Sequence, residues 1–275
     1  MDASSRTDPD APSAFVHADD IPLDARPGLR TMTLRDDRLD FAGFGDEASS
    51  CRRRRARLRL IDQGRFGGSE LEWLAEAGIE IHTSDRIGRK AAEIILIRCA
   101  AERGNAFTAL FQHGPIDGPG LETLRELGRS GVDIHTSNAA APHDIDALSE
   151  LAWDCGSGRA YFAYQHHGPL DSGLETLADR GAWIHLTNAS LAAPDDVALV
   201  AACSSAARSR GAKIILHIET PPDPAWLADL VAAGVFLLFK TPASDYRSPL
   251  RPYERAAARR RLAPRSYYLF PDYVL

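Results

Sequence analysis

The chain repeats one pattern, and that repetition limits its fold more than any other feature. Residues 106–138 read AFTALFQHGPIDGPGLETLRELGRSGVDIHTSN, an apolar run, a Gly/Pro turn, a helically spaced stretch and a second β-rich run. Residues 160–188, AYFAYQHHGPLDSGLETLADRGAWIHLTN, follow the same order. Residues 58–85 and 214–241 are looser copies, LRLIDQGRFGGSELEWLAEAGIEIHTSD and IILHIETPPDPAWLADLVAAGVFLLFKT. His82, His135, His185 and Leu238 occupy one position of these copies, at steps of 53, 50 and 53 residues. A period of this kind means stacked supersecondary units, each burying its apolar face against the next.

Eight β-rich runs result, at 57–63, 79–84, 106–113, 132–137, 159–166, 182–187, 213–219 and 235–240. Helically spaced apolar residues lie between them, such as Leu121, Leu124 and Leu127. Strands alternating with stretches of about 10–15 helical residues indicate βαβ units and a parallel sheet. The expected fold is therefore an α/β (β/α)8 TIM-type barrel built from four βαβα quarter-repeats, a fold of about 250 residues. An open doubly wound sheet is the alternative. Residues 1–55 are assigned to an N-terminal extension, 56–262 to the barrel and 263–275 to an aromatic tail. The first 28 residues are rich in Asp, Ser, Pro and Ala and are expected to lack a core. Residues 31–44 alternate weakly and are expected to form a short strand pair plugging the N-terminal mouth.

Turn chemistry agrees with this order. Gly78, Gly131, Gly181 and Gly234 precede the second strands and read as helix C-terminal stops. Asp117, Asp171 and Asp223, and likewise Asp85, Asn138 and Asn188, stand where a helix N-cap is expected.

The formal charge of −6 over 275 residues argues against nucleic acid as a partner, since such proteins usually carry a basic face. No apolar run approaches the ~18 residues of a membrane span, and the first residues lack the apolar core of a secretory signal. Four scattered cysteines without a CxxC pair favour reduced thiols in the cytoplasm. The aromatic tail, with Tyr267, Tyr268, Phe270 and Tyr273, is expected to pack on the barrel or on a second copy in a homo-oligomer.

Strand side chains alternate between faces. The residues assigned to the lumen are Glu80, His82 and Ser84; Asp133, His135 and Ser137; Trp183, His185 and Thr187; Phe236, Leu238 and Lys240. From the other strands come Ile61 and Gln63, Leu110 and Gln112, Tyr164 and His166, and His217 and Glu219. So polar an interior needs partners, because a buried polar group left alone costs about 1–3 kcal/mol. One arrangement has His82, His135, His185 and His217 hold a divalent metal, zinc among the candidates. Glu219 is then the general base, Lys240 stabilises a developing anion and His166 assists. Gln63, Ser84, Gln112, Ser137, Tyr164 and Thr187 would hold a small polar substrate at the C-terminal mouth, where such barrels place their sites. This describes a metal-dependent hydrolase or lyase. Two alternatives stand beside it: a metal-free lyase or isomerase using Lys240 and Glu219, and a non-catalytic barrel serving as a binding or assembly module.

Overall fold

The computed structural model describes residues 30–139, 143–218, 223–239 and 267–269. Ten strands run parallel: β1 (Arg30–Arg35), β2 (Ala56–Ile61), β3 (Ile79–Ser84), β4 (Thr108–Gln112), β5 (Asp133–Ser137), β6 (Phe162–Gln165), β7 (Trp183–Thr187), β8 (Ile214–Ile218), β9 (Phe236–Phe239) and β10 (Tyr267–Leu269). Helices α1 (Phe41–Arg53), α2 (Gly68–Glu76), α3 (Ala91–Arg103), α4 (Gly118–Arg129), α5 (Ile145–Ser157), α6 (Gly173–Asp179), α7 (Pro194–Ser209) and α8 (Pro224–Ala233) connect β1 through β9.

Each strand pairs with the next one in the chain, from β1 to β10, without a reversal. A doubly wound sheet reverses at a switch point, so sequential order excludes that alternative. The two faces of the sheet settle its curvature. Leu58, Leu60, Ile79 and Ile81 face the helices, packed in one cluster with Phe44, Leu71 and Leu74. The opposite face carries Arg59, Glu80, His82, His135, His185 and His217, and these are also buried. With the helices on one side only, the sheet can bury its other side only by curling around it. The fold is of the α/β TIM type.

The eight expected strands are β2 through β9. The N-terminal region differs from expectation: β1 is a single strand lying parallel to β2, Arg30 opposite Ala56 through Arg35 opposite Ile61. Together with α1 it forms a further βα unit on the wall rather than a plug under it. Helix α1 starts where Asp40 accepts a hydrogen bond from the Gly43 amide (2.8 Å). The start of the tail adds β10 beside β9. Residues 1–29, the basic stretch 251–262 and the rest of the tail lie outside the described residues. No helix among those described is long and apolar enough to cross a membrane.

The glycine stops behave as read. Gly78, Gly131, Gly181 and Gly234 take φ of 89°, 89°, 96° and 90°, the left-handed region that ends a helix without a Cβ penalty. A second series ends the odd-numbered helices: Arg55, Asn105 and Arg159 adopt φ of 56–60°, and Gly211 adopts 76°.

Candidate functional site

The C-terminal ends of the strands are organised by carboxylates and one carboxamide that reach across to the following loop. At the end of β1, Asp36 Oδ2 accepts hydrogen bonds from the amides of Gln63 and Arg65, both at 2.9 Å. At the end of β3, Asp85 Oδ2 accepts from the amides of His113 (3.1 Å) and Gly114 (2.7 Å). At the end of β5, Asn138 Oδ1 accepts from the His167 amide (2.7 Å) while its Nδ2 donates to the His167 carbonyl (2.9 Å). Asp85 and Asn138 therefore fasten loops and do not cap helices as expected. Ser84 provides the cap instead, accepting from the Arg86 amide at 3.1 Å. Asp223 does cap, accepting from the Ala225 amide (2.7 Å), whereas Asp171 stands one residue ahead of Ser172, the cap position of α6, and accepts from the Gly173 amide (2.8 Å). Asp117 sits at the cap position of α4 without a side-chain bond.

At one of these fastenings an acid–base group stands out. Asp85 Oδ1 lies 2.9 Å from His113 Nδ1, and Ser84 Oγ lies 3.1 Å from the same nitrogen. Burial acts to raise the Asp85 pKa. Hydrogen bonds from the His113 ring and from the Gly114 and His113 amides outweigh it and hold the carboxyl well below its ordinary range. An ionised carboxylate at Nδ1 makes that nitrogen the donor and leaves the lone pair on Nε2, the arrangement that orients an imidazole as a base. Both side chains are 23% exposed, so solvent and small molecules reach them. Beside them, between the ends of β3 and β4 and helices α3 and α4, is a cavity of about 220 Å³. Ser84, Asp85, Gln112 and Thr123 line its polar side and Leu110, Leu124 and Leu127 its apolar side.

The neighbouring carboxylate is differently employed. Asp62 accepts from the Gly64 amide (2.9 Å), Thr83 Oγ1 (2.7 Å) and Arg89 Nη2 (2.8 Å). Arg89 Nε donates as well (2.5 Å), so every lone pair is committed and Asp62 is a structural group. Arg89 is raised above its ordinary pKa by that carboxylate and by Glu93.

In the lumen the histidines divide. The Phe111 ring stacks on His135, with centroids 4.8 Å apart and planes at 18°, and stands 5.6 Å from His82. A benzene ring therefore separates two of the imidazoles expected to share an ion. His185 Nδ1 lies 3.0 Å from His217 Nε2, so the other two do meet. Burial lowers the His185 pKa to about 3, leaving it neutral at physiological pH. Its Nε2 has no hydrogen-bond partner among the described residues, and neither has Oε1 of Gln165, its register neighbour on β6. Deeper, Arg59 and Glu80 form a buried ion pair (Nη2–Oε2 3.2 Å), joined by Arg57 at 3.1 Å. Among the described residues no three His, Cys, Asp or Glu side chains gather as ion ligands.

Two strands present the face opposite to that expected. Leu110 packs with Ile94, Leu124 and Leu127 on the helix side of β4. Gln112 follows it there, lining the cavity and donating to the Gly114 carbonyl (3.3 Å). Tyr164 is likewise in the helix-side core, where burial pushes its hydroxyl up to about 12. His166 turns the same way, its ring 6.0 Å from Tyr164 and its Nε2–H donating to the Pro169 carbonyl (2.9 Å). Tyr164 and His166 are thus not lumen groups. Ala109, Phe111, Ala163 and Gln165 face inward instead. Register supplies the reason: Ala109 stands between His82 and Asp133, and Ala163 between His135 and Trp183, so small residues make room for large ones.

Of the other expected substrate contacts, Ser84 and Gln112 share the cavity. Gln63 is exposed at the mouth, Thr187 is half-buried at the end of β7, and Ser137 Oγ accepts from the Ala139 amide (3.0 Å). Glu219 and Lys240 lie outside the described residues. His113 was missed in the sequence, although the motif QHG at 112–114 recurs as QHHG at 165–168 directly after a strand.

No protein-family model and no curated protein matches the chain. Among solved structures, a putative phosphonomutase from Burkholderia cenocepacia J2315 is similar at 12% identity and TM-score 0.36, over 74% of this chain and 91% of that one. A truncated 3-deoxy-D-arabino-heptulosonate 7-phosphate synthase from Thermotoga maritima gives 13% and 0.34, over 85% and 88%. A putative fructose-1,6-biphosphate aldolase from Coccidioides immitis gives 11% and 0.30, over 87% and 91%. The fold assignment rests on the chain's own strand order and buried inner face.

Proposed function

We propose that the protein is an enzyme acting on a small polar substrate at the C-terminal ends of its strands, by proton transfer of the lyase type. The observation that carries this reading is the Asp85–His113 couple, part-exposed and fixed by backbone amides at the end of the barrel where such sites form. His113 Nε2 would take a proton from the substrate and return one, and Asp85 would hold the tautomer and stabilise the imidazolium. A positioned base of this kind contributes about 10²–10⁴-fold. Ser84 and Gln112, beside the cavity, would hold the non-reacting part of the substrate.

A divalent ion has one place left among the described residues, between His185 and His217. Two nitrogens on a tetrahedral ion with bonds of about 2.05 Å stand about 3.3 Å apart. The observed 3.0 Å between His185 and His217 is a hydrogen bond, and an ion would replace it after a shift of a few tenths of an ångström and loss of the shared proton. The ion would supply Lewis-acid polarisation of a carbonyl or activation of water. With Glu219 as base and Lys240 as anion partner, this becomes the hydrolytic variant of the same proposal. All four cysteines are free thiols, three of them buried, which supports a cytoplasmic setting.

The test is solvent-proton exchange, followed by NMR in D₂O, into a panel of small hydroxy and keto acids. Exchange that falls at least about a hundredfold in His113→Gln is the expected result. Exchange that ignores this substitution would sink the role of the couple. Metal content of the protein purified without chelator, against a His185→Gln, His217→Gln variant, decides the ion. About one equivalent lost with the fold intact supports it, and none in the parent removes it.

A further inference from the structure

At the opposite end of the strands, where α5, α6 and α7 finish, lies a second cavity of about 410 Å³. Trp153, Arg159, Tyr161, Arg180, Trp183 and Arg210 surround it. We propose that this pocket binds a phosphorylated small molecule. Three guanidiniums border one concavity, and among the described residues no carboxylate pairs with Arg159 or Arg180. Arg210 is only partly engaged, its Nε donating to the Asp179 carbonyl (2.8 Å) and its Nη2 standing 3.7 Å from the Asp179 carboxylate. The nearby Asp154 is taken by Arg125 and Arg129.

Trp153 explains how the cations are held ready. The guanidinium carbons of Arg180 and Arg210 stand 5.8 and 5.5 Å from its ring, within cation–π range. Stacking engages the face of a guanidinium and leaves its in-plane N–H donors unused, and those donors match the oxygens of a phosphate in pairs. Trp153 is 48% exposed, so its ring is available at the wall of this concavity. The bland account is that arginines at helix C-termini offset the helix dipoles. It explains their positions in sequence but not their convergence on one cavity with an exposed indole at its wall. Phosphate chemistry also belongs to lipid headgroups, and a vesicle arm of the test separates that source from a soluble ligand.

The experiment is calorimetric titration of the full chain with inorganic pyrophosphate at low salt. Binding by the parent, weakened at least about tenfold in an Arg159→Asn, Arg180→Ala double variant, is expected. Asn is chosen because Asn105 adopts the same left-handed backbone (φ 56°) as Arg159 (φ 60°). Both arginines are exposed, so the variant should keep its fold by circular dichroism, and Arg103→Ala, elsewhere on the surface, should bind as the parent does. No binding by the parent, or equal weakening in Arg103→Ala, would overturn the site. Arginine-dependent sedimentation with phosphatidylglycerol vesicles would overturn the soluble ligand in favour of a headgroup.

Discussion

Arg59 is 1% exposed and lies opposite Glu80, itself 2% exposed, so two full charges sit in the barrel interior. Removing one partner strands the other, and Glu80→Gln or Arg59→Met should each cost about 3–5 kcal/mol in urea unfolding. The double change to Met and Leu should recover most of that, since buried pairs are often replaceable by apolar residues of similar volume. If the double variant is as unstable as the single ones, the loss of Arg57's partner rather than a stranded charge sets the cost. Asp85 makes a pH prediction. Its folded pKa is depressed, so it favours the fold above its unfolded value of about 3.9, and that contribution disappears as pH falls further. Asp85→Asn should be about 1–2 kcal/mol less stable at neutral pH, with the gap closing below about pH 4. A gap that stays constant with pH would show that the ionised form is not what matters. Residue types at the strand ends were legible in the sequence, but their roles were not. A short carboxylate after a strand looks the same whether it caps the next helix or reaches a loop 28 residues on, and only the packing of adjacent strands decides.

Elements were more legible than faces. All eight expected strands form, because Gly stops and helical spacing punctuate them independently of tertiary contacts. Faces failed on β4 and β6, where ALF and FAY are apolar on both sides and offer no alternation to read. They succeeded on β3, β5, β7 and β8, where histidine or charge marks one side. The helices supply a prediction through glycine. A Cβ on Gly104 would stand 2.2 Å from the Ala75 carbonyl oxygen, and one on Gly158 would stand 2.1 Å from that of Gly128. Each glycine lets the end of one helix pass against the end of the helix before it. Gly104→Ala and Gly158→Ala should therefore destabilise by about 1–3 kcal/mol, as overpacking does. Gly156→Ala, inside α5 with open space around it, should stabilise by about 0.5–1 kcal/mol. Thermal unfolding of the three variants separates them, and a stabilising Gly158→Ala would mean the helix ends yield freely.

For the whole molecule, residues 1–55, read in the sequence as an extension before the barrel, contribute a further βα unit, β1 with α1, paired in parallel to β2. The cue was weak: TLRD at 33–36 matches HTSD at 82–85 only in its last residue. Yet β1 and α1 cover the β2 flank, with Phe44 in the same core as Leu60 and Leu71, its ring 5.7 Å from that of Phe66. A chain beginning at residue 56 should therefore aggregate or melt far below the full chain, whereas one beginning at residue 29 should melt near it. Equal melting of all three would place β1 outside the cooperative unit.

Asp36, Asp85 and Asn138 carry a last consequence, for how such a protein can be altered. Each loop takes its shape from a side chain rooted one helix and one strand earlier, so the loop sequence does not specify the loop. Transplanting 62–67 or 112–117 into another barrel without its upstream oxygen would deliver the letters and lose the conformation. The portable piece is a strand pair with its tether, and substitutions that diversify the mouth have to be made two strands at a time.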